Sequence, residues 1–285
     1  MLPAIAIGPY SRRPVGADGR ESAMTQQPIR FDDGAAYESM MGIWSRLAGD
    51  KFLDWLAPGS GWRWIDVGCG NGAFTELLEQ RTAPVDVQGI DPSEGQLAFA
   101  RTRQAWRSAE FRQGDAMALP FAERSFDAAV MALVIVFVPE PAEGVEEMVR
   151  VVRPGGTVAT YMWDMLGGGF PLGPVLVEMQ GMGRTPQRPP RLEASGVDGL
   201  RQLWTGAGLE AVETVEIEVE RTFADFEDFW TAQMKAPSLG PAVAAMAREE
   251  VEMLRTRVRA RLPSDGEGCV TYGARANAIK GVVRS

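Results

Sequence analysis

Between positions 31 and 163, short apolar runs alternate with segments in which apolar residues recur at a helical spacing. Short apolar runs predict strands at 62–67, 85–90, 110–113, 126–134 and 157–163. Between these runs, apolar residues recur every three to four positions and predict helices at 31–56, 73–80, 93–107 and 143–152. Ser93 is placed to cap the third of these helices. Strands that alternate with helices are typical of an α/β protein with a parallel, doubly wound sheet and right-handed crossovers.

The pattern becomes less regular after residue 163. Residues 164–195 are rich in Gly and Pro, and they predict a long loop that contains one helix at 174–182. Later residues predict helices at 200–207, 224–234 and 243–262, and strands at 209–222 and within 270–283. We expect one domain over 24–285, with lid and acceptor-pocket insertions at about 165–195 and 224–268. Residues 1–23 show no helical or strand period, and we expect a disordered tail there.

Composition narrows the classes of function. The 285 residues carry a formal net charge of −9, which makes nucleic acids and anionic membranes unfavourable partners. No apolar run reaches the ~20 residues that span a bilayer. The chain has no His and only two Cys, which excludes Ser-His-Asp and Cys-His catalysis and the usual zinc sites. We therefore expect a cytoplasmic protein without a metal, whose chemistry uses carboxylates, hydroxyls, backbone groups or a bound cofactor.

Three candidate binding features follow the first three predicted strands. The first is the glycine-rich turn 66–72, whose glycines allow positive φ angles and close approach of a ligand to the backbone. Asp91 and Pro92 follow the second strand, at a spacing suited to a ribose diol, and Asp115 ends the third, where it could accept from an adenine amino group. Because ligands bind at the carboxyl ends of the strands in such sheets, we expect a nucleoside-bearing cofactor at this edge.

Asp66, in the glycine-rich turn, bears on the identity of that cofactor. A pyrophosphate at a helix N-terminus favours nearby positive charge, whereas Asp66 is acidic and no Lys or Arg is close in sequence. The spacing Gly-x-Gly-x-Gly also differs from the Gly-x-Gly-x-x-Gly of dinucleotide-binding proteins. An NAD-dependent oxidoreductase is therefore disfavoured. A ligand with an ammonium and a sulfonium, such as S-adenosylmethionine (SAM), is favoured.

Five motifs together resemble those of class I SAM-dependent methyltransferases of the UbiE-like, methyltransferase type 11 group. They are WIDVGCGNG at 64–72, GIDPS at 89–93, GDA at 114–116, LPF with SFD within 119–127, and RVVRPGG at 150–156. The resemblance covers about residues 35–165. It implies a Rossmann-like seven-stranded sheet of order 3-2-1-4-5-7-6, with an antiparallel last strand and helical lid elements. It also implies SAM as the cofactor.

The resemblance further implies which residues contact the cofactor. Gly68, Gly70 and the backbone near them, Cys69 included, pack against the methionine part of SAM, beside Asp66. Asp91, with Pro92, binds the ribose hydroxyls. The adenine is bound by Asp115 and the amide of Ala116, and the carbonyl region of Leu133 faces the methionine amino group. The first helix caps the cofactor in such enzymes, so Tyr37 and Arg46 are further candidates, with core packing and a surface charge as the alternative interpretation.

The acceptor side is less well defined. Many small-molecule members of the group carry a polar residue or His after the fourth strand, whereas this chain has Val134-Ile135-Val136-Phe137. We therefore take Val136, Phe137 and Trp163 as candidates for the acceptor pocket, and Tyr161 of the fifth strand is a further candidate. Trp163 is equally consistent with the core. No catalytic residue is assigned. Asp164 is either a catalytic base or an exposed carboxylate at a strand end.

The hypothesis drawn from the sequence is a methyltransferase that moves a methyl group from SAM to a small, largely apolar acceptor by in-line displacement. Such a reaction needs no His, because the cofactor supplies the activated carbon. Two alternatives stay open, a SAM-binding protein without catalytic activity and an NAD-dependent oxidoreductase. A small-molecule acceptor is the expected partner, and a homodimer is also considered.

Overall fold

The structure of the protein, a computed structural model, describes residues 38–103, 107–184 and 187–285, apart from the side chains of Ser39 and Met40. The predicted tail at 1–23 and the candidate Tyr37 lie outside these ranges. No helix in the described ranges is long and apolar enough to cross a membrane.

Seven strands form one sheet in the order β3-β2-β1-β4-β5-β7-β6. Their bounds are β1 Arg63–Val67, β2 Asp86–Asp91, β3 Ala109–Gln113, β4 Phe126–Ala132, β5 Val152–Trp163, β6 Glu210–Phe223 and β7 Val270–Val282. Strands β1 to β5 pair in parallel, and β7 lies antiparallel between β5 and β6. The predicted fold class, strand order and antiparallel last strand are confirmed.

The helices connect these strands. A π-helical turn at Glu38–Gly42 leads into α1 Ile43–Leu56, followed by α2 Ala73–Thr82, α3 Glu94–Thr102, α4 Pro141–Val151, α5 Gly173–Gly181, α6 Val197–Gly206, α7 Phe226–Met234, α8 Gly240–Ala244 and α9 Arg248–Arg261. Short 3-10 turns lie at Ile135–Phe137 and Leu192–Ser195. Ser93 caps α3 as predicted, its Oγ accepting from the Gln96 amide at 3.3 Å. Helix α3 ends at Thr102, earlier than the predicted 107.

The prediction of a single helix at 243–262 is wrong, because the structure has two helices there, α8 and α9. Ala247 has extended backbone angles, φ −65° and ψ 150°. Its N–H donates to the Glu250 carboxylate at 3.0 Å, which is the capping arrangement of a new helix start. The apolar spacing continues across this break, so periodicity alone did not show it.

Strand β4 is also shorter than predicted, ending at Ala132 instead of residue 134. The reason is the backbone of Leu133, whose φ of 63° lies in the left-handed region that non-glycine residues seldom adopt. The Leu133 N–H still donates to the Tyr161 carbonyl of β5, at 2.9 Å. The chain therefore turns away just beyond the last paired residue, and the turn opens a space at the carboxyl end of the sheet.

Aromatic packing fixes α1 beside that space. Phe52 of α1 lies 4.7 Å from Tyr161 of β5 and 5.9 Å from Phe74 of α2, measured between ring centroids. A Cβ at Gly49 would lie 2.8 Å from Leu77 Cδ2 and 3.2 Å from the Tyr161 hydroxyl. Because only Gly permits this approach, α1 sits tightly on β5 and α2.

Candidate functional site

A cavity of about 450 Å³ lies at the carboxyl ends of β1, β2, β4 and β5. Its volume falls within the range of pockets that bind small molecules and cofactors. Its walls come from α1, the glycine-rich turn, the segments after β2, β3 and β4, and Tyr161. The lining residues include Ser45, Asp66, Gly68, Cys69, Gly70, Asn71, Asp91, Pro92, Gln96, Asp115, Ala116, Leu133, Val134, Phe137, Val138, Pro139 and Tyr161.

The glycine-rich turn forms a cradle on one side of the cavity. Gly68 and Gly70 have φ angles of 76° and 53°, where a side chain would strain the backbone. A Cβ at Gly68 would lie 2.5 Å from Val134 Cγ1, whereas the nearest atom to a Cβ at Gly70 would be Gln96 Oε1, at 3.9 Å. The turn therefore leaves room at Gly70 for a ligand to approach the backbone closely.

Asp91, at the end of β2, is held by backbone amides of two neighbouring loops. Its Oδ2 accepts from the Gly70 N–H at 2.9 Å and its Oδ1 from the Ser93 N–H at 2.8 Å. Burial raises the pKa of Asp91, while these two bonds lower it. A carboxylate offers about four acceptor sites, so Asp91 can still accept from two ligand hydroxyls. This geometry fits the predicted contact with a ribose diol.

Asp66 lies fully buried at the end of β1. Thr75 Oγ1 donates to Asp66 Oδ2 at 2.6 Å, but no described residue donates to the other oxygen, Oδ1. Burial raises the pKa of Asp66 to about 7; the Thr75 bond lowers it, and the charge of Asp91 raises it further. A cationic group in the cavity would both pair with Oδ1 and favour ionisation of the carboxyl.

The other predicted cofactor residues occupy different parts of the wall. Burial raises the pKa of the Cys69 thiol well above its usual range. The thiol therefore stays protonated and is a poor nucleophile. Asp115 is exposed, and its Oδ1 accepts from the Met117 N–H at 2.9 Å. Pro92, Ala116 and Leu133 also line the cavity. The turn and the ends of β2, β3 and β4 thus meet at one site.

Arg46 does not line the cavity. Its guanidinium is exposed and donates to Gln80 Oε1 at 2.7 Å, so the structure places it on the outer face of α1. Ser45, its neighbour, lines the cavity instead, and its buried Oγ has no partner among the described residues. The helical spacing of Met41, Trp44 and Ala48 was the signal that could have placed Ser45 on the inner side.

The acceptor-side candidates separate in the structure. Phe137 lines the cavity together with Val134, Val138 and Pro139. Val136 and Trp163, in contrast, are buried in the hydrophobic core and do not line it. The 3-10 turn after β4 presents Phe137 to the cavity and leaves Val136 in the interior. The wall on this side is apolar, as the sequence predicted.

Asp164 also lies away from the cavity, and the expectation that it is exposed was wrong. The residue is buried. Its Oδ2 accepts from Arg275 Nε at 3.1 Å and Nη2 at 2.5 Å, and its Oδ1 accepts from the Gly167 N–H at 2.7 Å. An Arg from β7, remote in sequence, neutralises the carboxylate. Asp164 therefore serves as a structural ion-pair partner at the end of β5.

Sequence reasoning missed Asn71, Gln96, Val138 and Pro139 as lining residues. Asn71 lies inside the glycine-rich turn, and Gln96 was considered only for capping α3. Val138 and Pro139 follow the apolar run that was already assigned to the acceptor side. Val138 and Pro139 line the cavity because of the way the chain turns after Leu133. The residue pattern did not predict that turn.

The fold and this site together agree with the expected class. A doubly wound sheet of order 3-2-1-4-5-7-6, with a glycine cradle and two buried carboxylates at its carboxyl edge, is the framework that the resemblance to class I SAM-dependent methyltransferases implies. The unpartnered Asp66 oxygen and the open space at Gly70 fit a cofactor that carries an ammonium and a ribose.

Comparison with known proteins agrees with this class. Residues 65–160 match the methyltransferase domain family. The UbiE ubiquinone/menaquinone biosynthesis C-methyltransferase of Roseobacter denitrificans is 32% identical over 154 residues, which are 51% of this chain and 62% of that protein. The demethylmenaquinone methyltransferase of Desulfitobacterium hafniense is 41% identical over 101 residues, 34% of this chain and 40% of that protein.

A solved structure shows the same fold. The YcgJ protein of Bacillus subtilis superposes with a TM-score of 0.55 at 15% identity, over 84% of this chain and 98% of that chain. This chain spans less than two thirds of the length of the curated relatives described above. Residues 65–160 form a methyltransferase domain that is similar to those of the UbiE and demethylmenaquinone methyltransferases.

Proposed function

We propose that the protein transfers a methyl group from SAM to a small, largely apolar acceptor by in-line displacement. The observation that carries the proposal is the pair of buried carboxylates at the glycine cradle. Asp91 is held by the Gly70 amide, and Asp66 has an oxygen that no described residue satisfies. A buried, unsatisfied carboxylate oxygen is costly, and a cationic cofactor would remove that cost.

The residues around the cavity would each hold a different part of SAM. In this proposal Asp91 holds the ribose, Asp115 and Ala116 the adenine, and Asp66 the ammonium of the methionine part. SAM, when bound, supplies a methyl group activated by its sulfonium. The remaining contribution of the protein is to align the acceptor and to exclude water, and both are worth several kcal/mol in reactions of this kind.

The apolar wall supports the proposed acceptor class. Phe137, Val134, Val138 and Pro139 present no group that can accept a proton. An acceptor that ionises by itself, such as a phenol, or one with a free lone pair would therefore suit this wall better than one that needs a base. The predicted lid segments at 165–195 and 224–268 contribute no described residue to the cavity lining. Their role as lids stays a prediction.

One alternative rests on the apolar character of this wall. Because the described residues of the wall after β4 carry no proton-accepting side chain, the chain could bind SAM without transferring its methyl group. This alternative predicts SAM affinity without product for any acceptor. The NAD-dependent oxidoreductase is disfavoured, since the buried Asp66 carboxyl lies where a pyrophosphate would need positive charge.

Calorimetry with SAM and with NAD tests the cofactor, and mass spectrometry of a panel of phenols, quinols and amines tests the transfer. We expect micromolar or tighter binding of SAM, no binding of NAD, and a product 14 mass units heavier from at least one acceptor. Asp91→Asn should weaken SAM binding about ten- to a hundredfold. Asp86→Asn, on the same strand outside the cavity, is the matched control. Binding of NAD in place of SAM would overturn the proposal.

A further inference from the structure

Arg103 joins the glycine-rich turn to two helical elements. Its Nε donates to the Asn71 carbonyl at 2.7 Å, its Nη1 to Glu76 of α2 at 2.6 Å, and its Nη2 to Glu38 at 2.6 Å. The Arg103 side chain is only 14% exposed. All three donor nitrogens of the guanidinium are thus engaged, at a position that follows the last residue of α3. We call Glu38, Asn71, Glu76 and Arg103 the Arg103 cluster.

Glu38 reaches this cluster because the π-helical turn leaves space for it. A Cβ at Gly42 would lie 2.9 Å from Glu38 Cδ and Oε1, so Gly42 allows the side chain to fold back along the turn. Glu38 Oε2 then accepts from both Asn71 Nδ2, at 2.9 Å, and Arg103 Nη2. The π-helical turn before α1 is therefore tied to the side chain of Asn71, the same residue whose backbone carbonyl Arg103 holds.

The bonded peptide adjoins the cofactor contacts. Asn71 lines the cavity and follows Gly70, whose N–H donates to Asp91. The bond to Arg103 holds the 71–72 peptide plane, and only the soft dihedral angles of Gly70 and Asn71 separate that plane from the peptide that carries the Gly70 N–H. The position of the Gly70 amide, and with it the orientation of Asp91, then depends on a side chain that does not line the cavity.

We propose that Arg103 is a positioning residue for cofactor binding, acting through the Asn71 carbonyl with Glu38 as its second anchor. The proposal rests on the proposed function, since it assigns Arg103 a role in holding SAM. The planar guanidinium is essential to it. A Lys keeps the charge, but as a single point donor it cannot hold a carbonyl and two carboxylates at once.

The test compares Arg103→Lys, Arg103→Gln and Glu38→Gln with the wild-type protein. Arg101→Gln is the matched control, because Arg101 lies on α3 and its described hydrogen bonds go to Glu94 and the Phe111 carbonyl instead of to the turn. Three quantities are measured for each: the melting temperature, the Kd for SAM, and amide hydrogen exchange of the segment 68–76 without ligand.

We expect Arg103→Lys to keep a melting temperature close to wild type while its Kd for SAM rises about tenfold. Exchange of the 68–76 segment should accelerate about tenfold in both Arg103 variants and less in Glu38→Gln. Arg101→Gln should change neither the Kd for SAM nor the exchange rate of the 68–76 segment. A Kd and exchange rate in Arg103→Lys equal to those of wild type would overturn the proposal, as would losses that follow the melting temperature across all variants.

The SAM affinity of the wild-type protein separates this proposal from the proposed function. If wild type binds no SAM, the proposed function fails, and so does the role of Arg103 in cofactor binding. If wild type binds SAM and only the Arg103 variants lose affinity together with loop protection, both stand. If wild type and Arg103→Lys bind SAM equally well, the proposed function stands and the positioning role fails.

Discussion

Replacing Asp66 with Asn should stabilise the ligand-free protein while weakening its hold on SAM. Asp66 is fully buried, and its pKa is raised from 3.8 to about 7, chiefly by burial. The unfolded chain ionises this carboxyl near pH 3.8, but the folded chain keeps its proton until about pH 7. Folded protein therefore loses stability as the pH rises from about 4 to 7, and it stays less stable above that range.

The size of this penalty follows from the displacement of the pKa. At ~1.4 kcal/mol per pKa unit, the rise from 3.8 to about 7 corresponds to about 4 kcal/mol at pH 8. Asn carries no charge, but its NH₂ would replace one carboxylate oxygen and lack an acceptor, which costs about 1–3 kcal/mol. Asp66→Asn should therefore gain about 1–3 kcal/mol at pH 8.

Urea unfolding at pH 5 and pH 8 measures this effect. At pH 5 the folded wild type already keeps its proton, so the advantage of Asp66→Asn should shrink by about 2–3 kcal/mol and can change sign. Asp86→Asn, which removes a carboxylate from β2 outside the cavity, controls for the loss of net charge. The SAM affinity of Asp66→Asn should fall at both pH values.

A difference between Asp66→Asn and wild type that is equal at pH 5 and pH 8 would refute this reasoning. It would show that the Asp66 carboxyl titrates normally in the folded protein, and that water or another group satisfies its second oxygen. A lower stability of the variant at pH 8 would have the same meaning. The expected opposite signs of the stability and affinity changes are typical of a residue that serves binding at the expense of folding.

Four further predictions concern the pH dependence of SAM binding, Asp164, the acceptor and the predicted tail. Calorimetry at several pH values should show SAM affinity rising between about pH 6 and 8 with proton release, because a bound cation favours ionised Asp66; a flat profile would contradict this. Asp164→Asn should lower the free energy of unfolding by about 2–3 kcal/mol through its lost ion pair with Arg275. Its transfer rate should fall far less than the ~10²–10⁴-fold expected for a catalytic base, and a loss of that size would restore Asp164 as the base. For a phenolic acceptor, the pH profile of transfer should follow the acceptor's own pKa, and a more acidic acceptor of the same shape should shift the profile equally; one fixed profile would reveal an enzyme base. Deleting residues 1–23 should leave the melting temperature and SAM affinity unchanged, and a drop of several degrees would show that the tail packs.

Much of the fold could be predicted from local patterns. The strand–helix alternation and the glycine-rich turn depend on short stretches of chain, where periodicity and the conformational freedom of Gly act directly. The strand order came from the resemblance, since periodicity says nothing about which strands are neighbours. The break between α8 and α9 escaped notice because one carboxylate, that of Glu250, caps a helix start inside an unbroken apolar rhythm.

The two carboxylates at the ends of β1 and β5 show why the site was harder to predict than the fold. Asp66 and Asp164 each end an apolar strand, and their neighbours in sequence give no sign of their different roles. In the structure Arg275 of β7 donates to the Asp164 carboxylate. No described residue donates to Asp66 Oδ1. The pKa of a buried group depends on such partners, and partners distant in sequence are known only once the chain has folded.

The sequence by itself determined most of the strands and helices, where its backbone can approach a ligand, and that no catalysis by His is possible, since the 285 residues include none. Only the tertiary structure decided that Ser45 faces the cavity while Arg46 does not, that Trp163 belongs to the core, and that Arg103 holds the glycine-rich turn. The physical reason is range. Periodicity and turn preferences act over a few residues, whereas burial and hydrogen-bond partners arise from contacts such as Arg103 to Glu38, which lie 65 positions apart.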